Sequence, residues 1–220
     1  MSNKKEVMPL KRSFIAKEGY PFILVLAIAA VGAYLYLPPL SALFLFLMGF
    51  VAFFFRDPER PVPTDPRAAV SPADGRVMYV KKVTEDRFLK GEATLVSIFL
   101  SITDVHINRS PIEGAVKYRE YVPGKYIVAY AEKASEINER NYLGLEKDGL
   151  KVLVCQIAGL VARRIVCWAG EGSYLQKGER FGLIKFGSCT QVYLPPEVEV
   201  TVKPGDVVRG GISIIGRMQT

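Results

Sequence analysis

Between Tyr20 and Phe55 the chain carries no charged side chain, and no other stretch restricts its possible folds as strongly. A continuous helix over those residues would be roughly 54 Å long at about 1.5 Å per residue, well beyond the roughly 30 Å of a bilayer's hydrocarbon core. Pro38 and Pro39 divide the stretch, because a proline inside a helix removes an amide donor and clashes with the preceding turn. The pattern predicts two apolar helices, about 20–37 and 40–55, that form a transmembrane hairpin. A helical hairpin buried in a soluble core, or a re-entrant anchor, has the same signature. A cleaved leader fits less well, since the apolar region is long and has no small-residue cleavage signal ahead of its second half.

Flanking charge gives an orientation. Lys4, Lys5, Lys11, Arg12 and Lys17 precede the first apolar segment, Arg56 and Arg60 follow the second, and nothing basic lies between. Basic residues gather on the cytoplasmic side of short loops. The basic N-terminus, 1–19, and the domain after residue 55 are therefore expected together on the cytoplasmic face of the cell membrane. The same cations suit acidic lipid headgroups, at about 1 kcal/mol each near the surface.

Composition excludes several classes. With 220 residues, a net charge of +7 and half of its residues apolar, the chain has room for one cored domain besides the hairpin. It shows no basic stripe interleaved with aromatics, so no nucleic-acid partner is expected. Cys155, Cys167 and Cys189 are widely spaced, form no CxxC pair, and accompany a single histidine. Neither a disulfide framework nor a metal centre follows from that.

After the proline-rich exit Arg56-Asp57-Pro58-Glu59-Arg60-Pro61-Val62-Pro63 the texture becomes short β-type runs broken by glycine. They are Gly75–Val83, Ala93–Ser101, Ala115–Val122, Tyr126–Ala131, Leu150–Ala158, Ala162–Trp168, Gly182–Lys185, Gln191–Leu194 and Glu197–Val202. Such spacing predicts a mainly β domain over 56–220, an antiparallel sandwich or barrel. Short helical stretches are expected only near Ser101–Val105 and Lys133–Asn138. Two echoes suggest quasi-repeated halves: Ser71–Val77 resembles Ser110–Val116, 39 positions later, and Lys177-Gly178-Glu179 resembles Pro204-Gly205-Asp206.

Two places could carry chemistry. His106 stands among Asp104, Asn108 and Arg109 just after an apolar run, and histidine moves protons near neutral pH; a lone histidine is also an ordinary structural residue. In Phe186-Gly187-Ser188-Cys189-Thr190 a serine follows a glycine whose carbonyl lacks steric cover. With a base and oxyanion donors, Ser188 could attack that carbonyl in an N→O acyl shift. Alone, a Gly–Ser step reads equally as a turn.

Five motifs in order carry a resemblance: Phe54-Phe55-Arg56-Asp57-Pro58-Glu59-Arg60, Ser71-Pro72-Ala73-Asp74-Gly75, Asp104-Val105-His106-Ile107-Asn108-Arg109-Ser110-Pro111, Asn138-Glu139-Arg140-Asn141 and Lys185-Phe186-Gly187-Ser188-Cys189. The chain resembles phosphatidylserine decarboxylase proenzymes of the short type, or their archaeal archaetidylserine counterparts, from Phe53 to its C-terminus. The resemblance implies that Ser188, activated through His106 and Asp74 as a triad, cleaves the Gly187–Ser188 bond. That would give a β chain, 1–187, and an α chain, 188–220, which begins with a pyruvoyl group derived from Ser188. No external cofactor or metal would be required. The pyruvoyl carbonyl would form a Schiff base with the serine amine of a membrane phospholipid and act as the electron sink for loss of CO₂, and His106 could protonate the product carbanion. The two chains would stay together as a heterodimer and pair into a dimer of heterodimers. The motifs do not address lipid tails, so diacyl and archaeol backbones are equally compatible.

One position departs from longer members of that family, which carry a second histidine three residues after the first. Here it is Arg109, which cannot serve as a base. Either His106 acts in both steps, or Asp74 and water do more of the cleavage. Asn108 and Arg109 are then candidates to orient His106 or to bind a substrate carboxylate or phosphate. A membrane-tethered biotinyl/lipoyl-like β-sandwich adaptor, with the Lys203-Pro204-Gly205-Asp206-Val207-Val208 turn, is the rival from a non-enzymatic class. An ordinary serine hydrolase lacks its G-x-S-x-G elbow here.

Overall fold

The computed structural model describes residues 13–125, 137–159, 164–185 and 188–219, with the backbone alone at 188. The strand expected over Tyr126–Ala131, most of the helix expected near Lys133–Asn138, the start of Ala162–Trp168, and Gly187 lie outside those residues. The chain divides into two compact units, Met8–Glu59 and one that begins at Arg60.

In the first unit, α1 (Tyr20–Tyr36) and α2 (Pro38–Phe54) are joined by the single extended residue Leu37. The two prolines do not form a loop between the helices, as the sequence suggested; they open α2. There a missing N–H costs nothing, because the first amides of a helix have no partner inside it. Lys17–Tyr36 is long and apolar enough to cross a membrane, and α2 is shorter. Leu24, Val25, Ile28, Leu35, Leu43 and Phe46 are exposed. The two ends of the unit are tied by an antiparallel bridge between Ile15 and Arg56, with Ala16 N–H donating to Phe55 O (2.8 Å) and Asp57 N–H to Phe14 O (2.8 Å). Entry and exit therefore meet at one end, which is hairpin geometry.

Among the described residues the second unit has fourteen antiparallel strands: β1 (Ala68–Val70), β2 (Gly75–Glu85), β3 (Gly91–Leu100), β4 (Ile107–Arg109), β5 (Gly114–Val122), β6 (Arg140–Lys147), β7 (Leu150–Ile157), β8 (Ile165–Cys167), β9 (Tyr174–Leu175), β10 (Arg180–Ile184), β11 (Ser188–Leu194), β12 (Val198–Val200), β13 (Val207–Val208) and β14 (Ile214–Met218). Eight form one curled sheet in the order β13-β2-β3-β11-β7-β6-β5-β9, and two three-stranded sheets are ordered β1-β14-β12 and β4-β10-β8. The main core, which includes Ile98, Leu143, Val154, Phe181, Val192 and Ile215, is sealed from solvent. A second cluster of Phe88, Tyr142, Leu153, Cys155, Ile157 and Cys189 also packs on strands of the large sheet, so its central strands are buried on both faces.

The sheet order reads the same from either end once halves are paired, and the hydrogen bonds repeat. A shift of 39 positions carries β1 onto β4 and Ser71 onto Ser110. Arg109 N–H donates to Pro72 O and Val70 N–H to Pro111 O, each at 2.9 Å. The Ser71 and Ser110 hydroxyls donate to the carbonyls of Ala73 and Ile112, each at 2.6 Å. Val77 exchanges bonds with Gly205 and Asp206 as Val116 does with Gly172 and Ser173. The expected quasi-repeat is thus real, but its second echo needs re-registering. Gly178 corresponds to Gly211, both at φ 75°, and Gly205 to Gly172; Lys177–Glu179 and Pro204–Asp206 share a turn type, not a place in the repeat. The second half (β4–β10) is inserted into the first (β1–β3 and β11–β14).

Two further differences have local causes. Ser101–Val105 is a turn, not a helix, because the Asp104 carboxylate takes Ser101 N–H (2.8 Å) while Asp104 N–H returns to Ser101 O (2.9 Å), the local bonding by which Asp competes with a helix. β6 was hidden because Arg140-Asn141-Tyr142-Leu143-Gly144 lacks apolar alternation, yet it pairs with both β5 and β7. Gly75 enters β2 at φ 141°, and a Cβ there would stand 2.0 Å from Phe99 O. Gly75→Ala should lower the unfolding free energy in urea by about 3 kcal/mol or more; a loss below about 1 kcal/mol would contradict this packing.

Candidate active site

Because one half is inserted in the other, the chain passes twice between the halves, each time between the large sheet and the sheet β4-β10-β8. It leaves β3 at Leu100 and enters β4 at Ile107; it later leaves β10 at Ile184 and re-enters the large sheet at Ser188. The two crossings start and finish against each other. Ser188 is the ladder partner of Leu100, and Ile184 N–H donates to His106 O at 3.2 Å. The histidine segment and residue 188, 82 positions apart in sequence, are thereby drawn to one end of the unit. On its other side β11 pairs with β7 only from Cys189, opposite Ile157, so residue 188 stands at the strand's end with one flank outside the ladder.

His106 is 2 % exposed, and its Nδ1 lies 3.0 Å from Asp104 O. A carbonyl only accepts, so Nδ1 carries the hydrogen and Nε2 is the ring nitrogen with a lone pair. Asp74 follows the Ser71 turn and is held elsewhere. Its carboxylate takes both terminal nitrogens of Arg60, one at 2.7 Å, and Gly210 N–H at 2.8 Å, while Arg60 also donates to Gly210 O at 2.7 Å. Both side chains are about nine-tenths buried. In this structure Asp74 is thus one corner of a closed ring that binds Arg60 to the turn around Gly210. The sequence suggests a flank charge at Arg60, either solvated or facing headgroups; in the fold it is an internal ion-pair partner.

Asn108 and Arg109 are buried as well. Asn108 Nδ2 donates to Thr190 Oγ1 (2.9 Å), and its Oδ1 accepts from Gln156 Nε2 (2.9 Å). Arg109 Nη1 donates to Gly178 O (3.1 Å), with its side chain against Gly211, where the two halves meet. Sequence reasoning passed over Arg60, Gln156 and Thr190 as site residues. The available signal was a glutamine inside the otherwise apolar run Val152–Ala158. Among the described residues no group of three His, Cys, Asp or Glu side chains gathers as a metal would require.

A family model described as phosphatidylserine decarboxylase matches residues 47–216. The chain belongs to the phosphatidylserine decarboxylase family. Relatives named phosphatidylserine decarboxylase proenzyme are 56 % identical in Symbiobacterium thermophilum, over 95 % of this chain and 98 % of that one. In Carboxydothermus hydrogenoformans the figure is 50 %, over 92 % and 96 %, and in Geotalea uraniireducens 48 %, over 94 % and 97 %. Membership in a decarboxylase family disfavours the adaptor reading. The Lys203–Asp206 turn is accounted for by Lys203 N–H on the Asp206 carboxylate (2.9 Å) and a left-handed Gly205.

Two outcomes follow from this geometry. Arg60→Ala leaves Asp74 buried without its counter-charge and should cost about 3 kcal/mol in urea unfolding. Arg60→Lys should recover only part, since an ammonium cannot span both carboxylate oxygens and Gly210 O; full recovery would contradict the ring. Cys189 is a thiol beside the expected cleavage point, but burial pushes its pKa up to about 11, against a smaller opposing effect of Ser97. Burial raises Cys155 as well. At pH 8 only about 0.1 % of such a thiol is thiolate. Iodoacetamide should therefore spare both residues in the folded protein and alkylate them after unfolding, as read by peptide mass.

Proposed function

We propose that this chain removes the carboxylate of the serine headgroup of phosphatidylserine as CO₂, leaving phosphatidylethanolamine, with a pyruvoyl group made from its own Ser188. The observation that supports it most, in a chain of this family, is that the described ends of the two crossings meet: Ser188 pairs with Leu100 and Ile184 N–H donates to His106 O. In the self-cleavage Ser188 Oγ attacks the Gly187 carbonyl carbon and gives its proton to a base, for which His106 is the candidate. The C–N bond breaks, Gly187 becomes an ester of Ser188, and the amine of residue 188 is freed. Loss of the Cα proton expels the Gly187 carboxylate and leaves dehydroalanine; water then replaces the nitrogen, which departs as ammonia. Asp74 is the candidate acid of the triad, and to serve there it would have to share its carboxylate with Arg60 and Gly210 N–H.

The residues fit such a group. Residue 188 begins a strand that β3 holds by its ladder, so a new chain end would stay in register while its β7 flank is left outside the ladder. When formed, the pyruvoyl group supplies a carbonyl for the substrate's amine and a sink for the electron pair released with CO₂. His106 would donate the proton that replaces CO₂. The α chain, 188–220, would remain bound to the β chain, 1–187, through β11, β13 and β14, as a heterodimer that pairs further with a second copy. The apolar helices, with basic residues on both flanks, would hold the enzyme at the cytoplasmic face of the cell membrane, where the lipid's tails remain in the bilayer.

Denaturing electrophoresis with intact mass tests this. The wild-type chain should give two fragments divided at Gly187–Ser188, with the α fragment lighter than a serine-started peptide by one ammonia; a single uncut, active chain would sink the proposal. Ser188→Ala and His106→Ala should stay uncut. If His106→Ala is cut normally but releases no CO₂, the histidine serves only the second step.

A further inference from the structure

Four buried polar side chains cross the core next to the crossings. Asn141 on β6 donates from Nδ2 to Gln156 Oε1 on β7 at 2.9 Å; Gln156 Nε2 donates to Asn108 Oδ1 on β4 at 2.9 Å; Asn108 Nδ2 donates to Thr190 Oγ1 on β11 at 2.9 Å. None is more than 1 % exposed. Thr190, Gln156 and Asn141 stand opposite one another in the large sheet. Apolar side chains would fill such a row at lower cost, because every buried amide left without its partner is penalised. A row that is polar throughout and bonded end to end holds a defined geometry.

What it fixes follows from the topology. β4 carries Asn108 two residues after His106, and β11 carries Thr190 two residues after Ser188. The two strands belong to different sheets, and among the described residues no ladder joins them. Backbone bonds bring the ends of the crossings together, but the direct link between β4 and β11 is the Asn108–Thr190 side-chain bond, with Gln156 fixing which end of the Asn108 amide faces Thr190. We propose that Asn108, Gln156 and Thr190 are positioning residues for self-cleavage: they set the distance between the His106 segment and residue 188, and bind no substrate. The inference rests on the self-cleavage reading above.

Cell-free synthesis of the full chain into lipid nanodiscs, sampled over time by electrophoresis and intact mass, tests it. Thr190→Val keeps the volume and loses the acceptor, Thr190→Ser keeps the acceptor, and Gln156→Met removes the donor to Asn108. Cleavage of Thr190→Val and Gln156→Met should slow by about tenfold, the factor expected for one buried hydrogen bond. Thr190→Ser should be cut close to the wild-type rate. The cleaved fraction of Thr190→Val should keep the wild-type KM for phosphatidylserine. A Thr190→Val chain cut at the wild-type rate overturns the inference even if its thermal midpoint falls, because the bond is then structural only. A Thr190→Ser chain as slow as Thr190→Val overturns it as well, as does a raised KM, which would place these groups at the substrate. A wild-type chain that stays uncut overturns the self-cleavage reading itself, and this inference with it.

Discussion

The ladder between β11 and β7, from Cys189 opposite Ile157 to Tyr193 opposite Leu153, is where the two halves of the β unit join in the large sheet. Everything on one side of it, β3, β2 and β13, has a counterpart on the other in β6, β5 and β9. Because β11 is also laddered to β3 along its whole length, it is held by backbone bonds on both flanks. This is the condition under which a chain could be cut at the start of that strand without losing its fold. Beyond the cut, Val192, Leu194, Val198, Val208 and Ile215 are all buried, at about 2 kcal/mol each. They would add an apolar contribution to the ladders in keeping two fragments together.

Much of this architecture was legible in the sequence wherever an element depends on its own residues. Long strands such as Gly75–Glu85 and Leu150–Ile157 show β-type composition, and the uncharged stretch with its proline pair shows the helices. What was not legible depends on partners. β6 is a strand because β5 and β7 flank it, and Asn141 is tolerated inside it because Gln156 completes its hydrogen bond. β1, β4 and β14 are too short to have a period. The Ser71 and Ser110 echo was visible because a hydroxyl closing a tight turn demands the same residues each time. The glycine echo was misregistered because a left-handed turn needs only a glycine and an acid, and this chain has several such turns.

The candidate site divides in the same way. His106 and the Gly187–Ser188 step stand out as candidates by residue type and motif, which chemistry restricts tightly. Asn108 and Arg109 were found too, but their neighbourhood in sequence suggested a polar surface, and the fold turns them inward. Asp74 was found without its partner Arg60, since an ion pair between positions 60 and 74 has no signature in either segment. Sequence exposes which groups can react; it does not expose which groups hold them, because holding is a matter of spatial neighbours.

The repeat poses one last physical question, namely why only one of its two equivalent ends should suit the proposed self-cleavage. The same shift that carries β1 onto β4 puts Arg67 where His106 stands and Glu113 where Asp74 stands. Glu113 is paired with Lys147, about a third exposed, rather than sealed with an arginine. The second end is an open cavity of about 570 Å³, lined by Arg67, Glu113, Lys147, Leu150 and Lys177. There β6 and β7 are joined by a tight hairpin through Asp148 and Gly149, both in the left-handed region. At the first end β3 and β11 stand in the same relation, but nearly ninety residues of inserted chain separate them. Leu150 occupies the place of residue 188 opposite Lys147. A hairpin tip leaves no crossing strand to attack and no neighbouring crossing to supply a base. Insertion of one half into the other brings the ends of two crossings together at one end alone, and that topological asymmetry would confine the proposed self-cleavage to a single site in an otherwise symmetric frame.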